Sequence, residues 1–358
     1  MIDERRDIMN TTSKRLFASL TMGAALASPA VLAADTVTLR IMHPLPAMSN
    51  AQQDVIEPWC DDLESRSEER IQCQIYPSMQ LGGAPAQLPD MVRNGVIDIT
   101  WTALGYSAGR FPRSEALELP FMLPDGGVDG SEIAWDFYQQ HAQEDFSDYK
   151  VLALHSDGGG SIHTADTGVS DMADMEGLRI RASTRMASEL IDALGGTPVS
   201  MPPAQIADTL AKGVIDGAMA VWEVVPPTKL DEVTHYHTQT ADDQATPTVT
   251  TLAMLMNQRS YERMPDDLRQ ILDDLSGREL SVRFGESWDR AIESVRSDIV
   301  ANDDHTVITL GEEEYAAMRE ASRSIIDDWA ASNDGGIDRQ SLVEGLRKIV
   351  EEKAPDLQ

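Results

Sequence analysis

Two stretches of the sequence are near copies of each other: residues 87–98 read QLPDMVRNGVID, and residues 205–216 read QIADTLAKGVID. Gln, Asp, Gly, Val, Ile and Asp coincide in register, and the copies lie too far apart for a solenoid repeat. Each copy is typical of a short helix, a glycine that ends it, and a strand that enters a sheet. Trp101 and Trp222 follow the two copies. This pattern predicts two lobes that are built alike, with a cleft between them that both tryptophans reach.

Segments typical of strands and helices alternate along the rest of the chain. The first set predicts strands at 37–43, 70–76 and 96–102 and helices at 51–67 and 86–94. The second set predicts strands at 150–155, 178–182 and 214–221 and helices at 186–194 and 203–212. An extended apolar segment at 247–257 should run from one lobe into the other, and amphipathic helices follow within 265–304, 312–332 and 339–352. The alternation indicates βαβ units, a mostly parallel sheet and hence an α/β fold.

Composition bounds the class of protein. The chain has 358 residues, of which 42% are hydrophobic, and this suits two domains of ordinary size. Acidic residues outnumber basic residues by 60 to 29, so the formal net charge is −31. A surface of this sign repels phosphate backbones and anionic lipid. The sequence therefore argues against nucleic acid as a partner.

The N-terminal segment has the pattern of an export signal. Residues 14–34 read KRLFASLTMGAALASPAVLAA, with two basic residues, an apolar run and a small-residue cleavage site that ends at Ala33. The apolar run is shorter than the roughly 20 residues that span a bilayer, and an uncleaved membrane anchor is the alternative. We predict that residues 1–34 are a signal peptide, that translation starts at Met9 because the preceding residues are acidic, and that the mature protein is periplasmic.

Export favours a disulfide between the two cysteines of the chain. Cys60 lies in a helical pattern and Cys73 in a strand-like alternation, both on apolar faces. The helix runs about 10 Å from Cys60 to its end near Ser67. The strand covers a similar distance from Arg70 back to Cys73. The two cysteines should therefore be level with each other, and two buried thiols are the alternative.

Common motifs of cofactor and metal sites are absent from the sequence, which has no H-E-x-x-H, G-x-x-x-x-G-K-[ST] or G-x-G-x-x-G. A glycine run at 158–160 precedes Ser161 and His163, and such a run more often forms a turn or lets backbone approach a ligand. The scattered histidines show no spacing typical of metal ligands. We predict a binding protein with no cofactor and no metal. An exported hydrolase that uses Ser161 or His163 is the alternative.

The stretch GLRIRAS at 177–183 contains a candidate ligand-binding arginine. In a strand, Arg179 and Arg181 face away from Leu178 and Ile180. Arg181 falls at the carboxyl end of the strand, where open α/β sheets bind ligands. A guanidinium there can hold a carboxylate through two parallel hydrogen bonds. From the pattern alone, a structural arginine in a salt bridge is the alternative.

Several blocks of the sequence occur in an order and at spacings that are specific to one family. They read IYPSMQLGGAPAQLPDMVRNGVIDITW (75–101), GYSAGRFPRSEALELPFMLPD (105–125), MEGLRIRAS (175–183), ALGGTPVSMPPAQIADTLAKGVIDGAM (193–219), WEVVPPTKLDEVTHYHT (222–238) and LAMLMNQRSYERMPDDLRQIL (252–272). In these blocks the chain resembles the solute-binding proteins of tripartite ATP-independent periplasmic (TRAP) transporters, of the DctP type. The resemblance covers nearly all of the mature chain.

This resemblance implies an α/β, two-lobed periplasmic binding protein (type II-like) with hinge strands and a long bracing helix. Lobe I would comprise residues 35–157 plus 247–285, and lobe II residues 158–246 plus 286–358 with the C-terminal helices. The ligand of such proteins is typically a small organic acid, held by the arginine that corresponds to Arg181. The implied partners are that solute and the small and large subunits of a membrane permease, to which the ligand is delivered.

One block departs from the family pattern and leaves the ligand open. Many members carry an asparagine in a DGQEN-like turn, whereas residues 216–223 read DGAMAVWE. Trp222 is a candidate to cover an apolar part of the ligand. Glu223 is a candidate acceptor for a hydroxyl or an ammonium group, and a role in fixing the following turn is its alternative.

Further candidate ligand contacts lie at loop positions that should face the cleft: Trp101, Tyr106, His43 and His163. Each has an alternative as a packed core or hinge side chain. A different ligand chemistry also stays open, in which Trp101, Trp222 and Tyr106 form an aromatic cage for an amine or amino acid, with Glu223 as counter-charge. A binding protein that serves as the sensor of a signalling partner would share the fold and the site.

Overall fold

The computed structural model describes residues 36–332 and 334–357. The predicted signal peptide and the predicted start at Met9 lie outside these residues. Within them, no helix has both the length and the apolar character needed to cross a membrane.

Strands and helices alternate over most of the described chain. The strands are β1 (Val37–Met42), β2 (Ile71–Tyr76), β3 (Ile99–Ala103), β4 (Tyr149–Ser156), β5 (Ser161–Thr164), β6 (Arg179–Ala182), β7 (Thr197–Ser200), β8 (Gly217–Ala220), β9 (Tyr236–Gln239), β10 (Thr251–Asn257) and β11 (Thr306–Thr309). The α-helices are α1 (Glu57–Arg66), α2 (Leu88–Arg93), α3 (Gly127–Phe137), α4 (Arg185–Ala193), α5 (Ile206–Ala211), α6 (Gln258–Glu262), α7 (Asp266–Asp274), α8 (Arg278–Val300), α9 (Glu312–Ala321), α10 (Arg323–Ala331) and α11 (Arg339–Lys353).

The strands form two sheets, and both are mixed. The first sheet has the order β2-β1-β3-β10-β4, and the second has the order β11-β9-β5-β8-β6-β7. β1, β2 and β3 are parallel, and so are β6, β7 and β8, but β10 is antiparallel to both β3 and β4. β5 is likewise antiparallel to β8 and β9. The α/β class is confirmed, and among the described strands both sheets are mostly parallel, since β10 alone runs against the other strands of the first sheet and β5 alone against those of the second.

The two near copies in the sequence fold alike. α2 ends before Gly95 and α5 before Gly213, and these glycines have φ angles of +72° and +62°. In both copies the N–H groups of the glycine and of the next valine bond back to helix carbonyls, the Schellman arrangement. Val96 and Val214 thus complete helix ends and are about half exposed. The strands predicted from 96 and 214 therefore begin three residues later.

Each copy ends in an aspartate that binds an arginine of the neighbouring strand. Asp98 accepts hydrogen bonds from the backbone N–H and the Nε of Arg40 in β1, at 3.1 and 2.9 Å. Asp216 accepts the equivalent bonds from Arg179 in β6, both at 2.8 Å. The internal similarity therefore extends from the near copies to the strands beside them.

The long helix α8 contacts elements of both sheets. It packs on β4 of the first sheet and on β11 and the turn Trp222–Val224 beside the second sheet. α9 and α10 contact elements on the side of the second sheet, whereas α11 packs on α3, which in turn packs on β4. The predicted residue boundaries of the two lobes stay a prediction.

A disulfide joins Cys60 of α1 to Cys73 of β2, with 5.9 Å between the Cα atoms, as the sequence predicted. A crosslink that closes a loop of this size stabilises a fold by about 3 kcal/mol, through the entropy of the unfolded chain. We expect the double variant Cys60→Ser/Cys73→Ser to lose about this much unfolding free energy in urea denaturation. Dithiothreitol should destabilise the parent protein but not the variant. Equal stability of the two proteins would contradict this expectation.

Candidate ligand-binding site

A cavity lies where the carboxyl ends of β1, β3, β4, β6 and β8 meet, and it encloses about 610 Å³, including the part that opens to solvent. Crevices at the carboxyl ends of strands are the usual ligand sites of α/β folds. Its larger apolar and aromatic side chains are Pro44, Leu45, Trp101, Tyr106, Pro203, Met219, Leu252 and Trp288. Its polar side chains are Asp157, Arg181, Ser183, Glu223, Thr248 and Thr250.

Arg181, in β6, is the buried cation of this cavity and is only 3% exposed. Its Nε donates to the carbonyl of Met201 at 3.1 Å and its Nη1 to the carbonyl of Met219 at 3.2 Å. Its Nη2 is buried and has no hydrogen-bond partner among the described residues. Burial lowers the pKa of Arg181, and the neighbouring Tyr106 and Asp157 raise it. An arginine stays protonated in proteins, so the backbone fixes a cation that retains a donor for an anion.

Glu223 lines the same cavity from the turn after β8 and is 4% exposed. Both of its carboxyl oxygens are buried and lack a hydrogen-bond partner within the described chain. Burial, with a smaller contribution from Asp157, raises the pKa of Glu223 to about 8. At neutral pH Glu223 is therefore a neutral acid, which has one O–H donor as well as acceptor oxygens.

Asp157 follows β4 and is a cavity residue that the sequence analysis did not identify. Its Oδ1 accepts hydrogen bonds from the backbone N–H groups of Thr250 at 3.0 Å and Gly159 at 3.2 Å. Burial raises its pKa to about 6, so it is mostly ionised at neutral pH. The glycine run at 158–160 is the sequence signal that could have identified this residue. Glycine is required there because a Cβ atom on Gly159 would lie 2.5 Å from the side chain of Thr246. This close approach brings the end of β4 against the segment before β10.

Four of the seven predicted ligand contacts line the cavity: Trp101, Tyr106, Arg181 and Glu223. Trp101 is held in place by His155, since its indole Nε1 donates to the His155 Nε2 at 2.9 Å. Burial lowers the pKa of His155 to about 3, which keeps this imidazole neutral and able to accept. His155 also stacks on Phe284 of α8, with 4.3 Å between ring centroids.

The other three predicted contacts, His43, His163 and Trp222, are buried but do not line the cavity. The His43 Nε2 donates to the Gln52 Oε1 at 2.9 Å. Trp222 packs edge-to-face on His163, with 4.9 Å between ring centroids. When the near copies are superposed on Asp98 and Asp216, Trp101 corresponds to Met219, which does line the cavity. The two tryptophans therefore do not occupy equivalent positions.

His163 is fully engaged in hydrogen bonds. Its Nε2 donates to the carbonyl of Ala220 at 3.1 Å, and its Nδ1 lies 2.8 Å from the Nδ1 of His237. Neither nitrogen is therefore available to take a proton from Ser161. This geometry provides no support for a hydrolytic Ser161–His163 pair.

The stretch GYSAG at 105–109 matches the G-x-S-x-G pattern of serine hydrolases, so the sequence interpretation that no such motif is present is wrong. That pattern requires a strand, a sharp turn and then a helix. Here β3 leads into the short 3₁₀ turn Leu104–Tyr106, and no α-helix follows directly. The Ser107 hydroxyl donates to the carbonyl of Ala86 at 2.9 Å. This segment is therefore not a nucleophile elbow.

The two sheets, the cavity at their strand ends and its buried arginine define a two-lobed solute-binding protein. A family model described as bacterial extracellular solute-binding protein, family 7 (DctP) matches residues 41–333, and the chain belongs to this family of TRAP solute-binding proteins. The family and the fold predicted from the sequence blocks are therefore confirmed.

Two solved structures and one curated relative are similar to this chain. A TRAP solute-binding protein from Rhodoferax ferrireducens T118, in complex with copurified benzoate, has a TM-score of 0.86 and 36% identity over 89% of this chain and 99% of that chain. A marine metagenome TRAP solute-binding protein specific for aromatic acid ligands, co-crystallized with 3-hydroxybenzoate, has a TM-score of 0.85 and 36% identity, with the same coverage of 89% and 99%. The ectoine-binding periplasmic protein TeaA of Halomonas elongata is 22% identical over 274 residues, which are 74% of this chain and 76% of the relative.

Proposed function

We propose that the protein is the extracytoplasmic, periplasmic solute-binding subunit of a TRAP transporter and that its ligand is a small aromatic carboxylic acid. The observation that carries this proposal is Arg181, a buried cation whose Nη2 has no partner in the described chain. Trp101, Tyr106 and Trp288 line the same cavity and suit an aromatic ring. The benzoate and 3-hydroxybenzoate complexes of the two similar structures support an aromatic acid over other acids.

Capture follows from this arrangement. The ligand carboxylate accepts charge-assisted hydrogen bonds from the guanidinium of Arg181, in β6 of the second sheet, while the ring packs on Trp101, in β3 of the first sheet. A ligand that contacts both sheets binds more tightly when the sheets are close together than when they are apart, and this difference in affinity stabilises the close arrangement. Arg185 of α4 and Glu115 reinforce this arrangement, because they form two hydrogen bonds at 2.9 and 2.6 Å. Membership of the family supports delivery of the captured ligand to the small and large permease subunits.

The alternatives have weaker support. An aromatic cage for an amine needs Trp222 and an anionic Glu223, but Trp222 does not line the cavity and burial holds Glu223 neutral at neutral pH. Catalysis is not part of the proposal, because both nitrogens of His163 are engaged. The related proteins described above are solute-binding proteins.

The ligand class can be tested with the mature protein, unfolded and refolded to remove copurified ligand. Benzoate and the three hydroxybenzoates are compared with benzamide and benzylamine by calorimetry and thermal unfolding. Benzamide keeps the shape of benzoate but lacks the charge. At least one of the acids should stabilise the protein by about 2.7 kcal/mol at 100 times its Kd, and benzamide should not. Stabilisation by benzylamine alone, or by none of the acids, would overturn the proposed ligand class.

A further inference from the structure

Four polar groups of the cavity are buried without a hydrogen-bond partner among the described residues. They are the Nη2 of Arg181, the carboxyl group of Glu223, the hydroxyl of Thr248 and the indole Nε1 of Trp288. A ligand carboxylate satisfies Arg181, and the indole N–H of Trp288 can only donate, so Glu223 and Thr248 are left as the groups that can accept a hydrogen bond. Because buried polar groups are normally hydrogen-bonded, the cavity is built for a ligand with a second polar group.

We propose that Glu223 determines specificity by binding a hydroxyl group of the ligand away from its carboxylate, so that a hydroxylated aromatic acid is preferred over the unsubstituted acid. This inference rests on the proposed function and deepens it. It assigns to Glu223 the second end of the ligand, while Arg181 holds the first.

The chemistry of Glu223 selects a hydroxyl rather than a second carboxylate. The titratable groups that share the cavity with it are Tyr106, Asp157 and Arg181. Arg181 is the one basic side chain among the residues that line the cavity, and the first carboxylate of the ligand already neutralises it. A second carboxylate would lie near Asp157 with no cation of its own, which is unfavourable. A neutral carboxyl group has a donor and an acceptor, and a hydroxyl group matches both.

We expect a large difference in affinity between an acid with the hydroxyl group and the same acid without it, although the two differ by one oxygen atom. A ligand without the hydroxyl leaves the buried carboxyl of Glu223 unpaired, and such a loss is typically worth a factor of about 10 to 100 in affinity. A site that is built to bond a hydroxyl rejects the analogue that lacks it far better than an apolar pocket can.

The test measures Kd values for benzoate and the three hydroxybenzoates with the parent protein and with Glu223→Gln and Glu223→Met. The parent should bind at least one hydroxybenzoate about 10-fold or more tighter than benzoate. Glu223→Gln keeps a donor and an acceptor and should keep most of this preference. Glu223→Met should lose the preference but still bind benzoate, which shows that this variant is folded. The exposed Glu232→Gln is the control and should resemble the parent.

A pH series with benzoate gives a second readout. As the pH rises from 7 to 9, Glu223 of the parent ionises and repels the anionic ligand, so the Kd should rise, whereas in Glu223→Gln it should not. Benzoate binding without any preference for a hydroxybenzoate, or a preference that persists in Glu223→Met, would overturn the role of Glu223 and leave the proposed function intact. Failure of all four acids to bind would overturn both.

Discussion

Replacing Arg181 by Met should weaken the binding of an aromatic acid by about 3 kcal/mol, a factor of roughly 150 in Kd. The cause is the loss of a buried cation that the carbonyls of Met201 and Met219 hold in place. Arg181→Lys should recover only part of this loss, because an ammonium group is a point charge that cannot keep both carbonyl contacts and also bind a carboxylate through two parallel bonds. Isothermal titration calorimetry measures all three affinities.

The matched control for this prediction is Arg179, two residues earlier on the same strand. Arg179 pairs with Asp216 at the surface and does not line the cavity. Arg179→Met should therefore change the Kd by no more than about twofold, while its loss of stability reports the surface ion pair. Urea denaturation of both variants shows whether they are folded. Unchanged affinity in Arg181→Met, or an equal loss in Arg179→Met, would show that Arg181 does not hold the carboxylate.

The local part of the fold was predictable because its signals lie within short segments. The glycine that ends each near copy and the apolar strand after it are sufficient to place α2, β3, α5 and β8. The direction of β10 was not predictable, since the apolar residues of a strand that is buried on both faces look the same in either direction. The starts of β3 and β8 were placed too early because Val96 and Val214 are apolar although they complete helix ends.

The parts of the candidate site that depend on a single local pattern were predictable from the sequence. Arg181 could be identified from the alternation of its strand and from the family blocks. Trp222 was placed in the cleft by its distance from the second near copy, but the turn after β8 brings Glu223 and Val224 to the cavity in its place. Asp157 and Thr248 join the site through the pairing of β4 with β10, a contact between distant segments that no local pattern encodes.

The stability of the ligand-free protein should fall as the pH rises from 6.5 to 8. Burial raises the pKa of Glu118 and of Glu223 from an ordinary 4.5 to about 8. Between these values the folded protein binds a proton at each site that the unfolded chain has released, so stability decreases with pH. Between pH 6.5 and 8, each glutamate lowers the free energy of unfolding by about 1.5 kcal/mol, and the two together lower it by about 3 kcal/mol.

The other groups with shifted pKa values affect stability mainly below the range from pH 6.5 to 8. Burial lowers the pKa values of His155, His163 and His237 to about 3, 4 and 2. These histidines oppose the glutamates, because they destabilise the fold as the pH falls below 6.5, where only the unfolded chain takes up their protons. Asp125 and Asp157, each with a pKa raised to about 6, affect stability mainly between their ordinary 3.8 and that value. Because histidines of the unfolded chain still release protons up to about pH 7.5, they offset part of the loss, and the contribution of Glu118 and Glu223 is the difference between the parent and variants that lack these carboxyls.

Glu118→Gln should remove about half of the loss of stability that the two glutamates cause and raise the stability at pH 8. The backbone N–H of Thr251 donates to the Glu118 Oε1 at 3.2 Å, and a glutamine can keep that bond through its carbonyl oxygen. The stability of Glu118→Gln/Glu223→Gln should no longer fall with pH in this window, and the exposed Glu262→Gln should keep the slope of the parent. Urea denaturation at several pH values measures each free energy of unfolding. A parent protein whose stability rises between pH 6.5 and 8 would show that these carboxyls are ionised in the folded state. That result would also contradict the proposed hydroxyl specificity, which depends on a neutral Glu223.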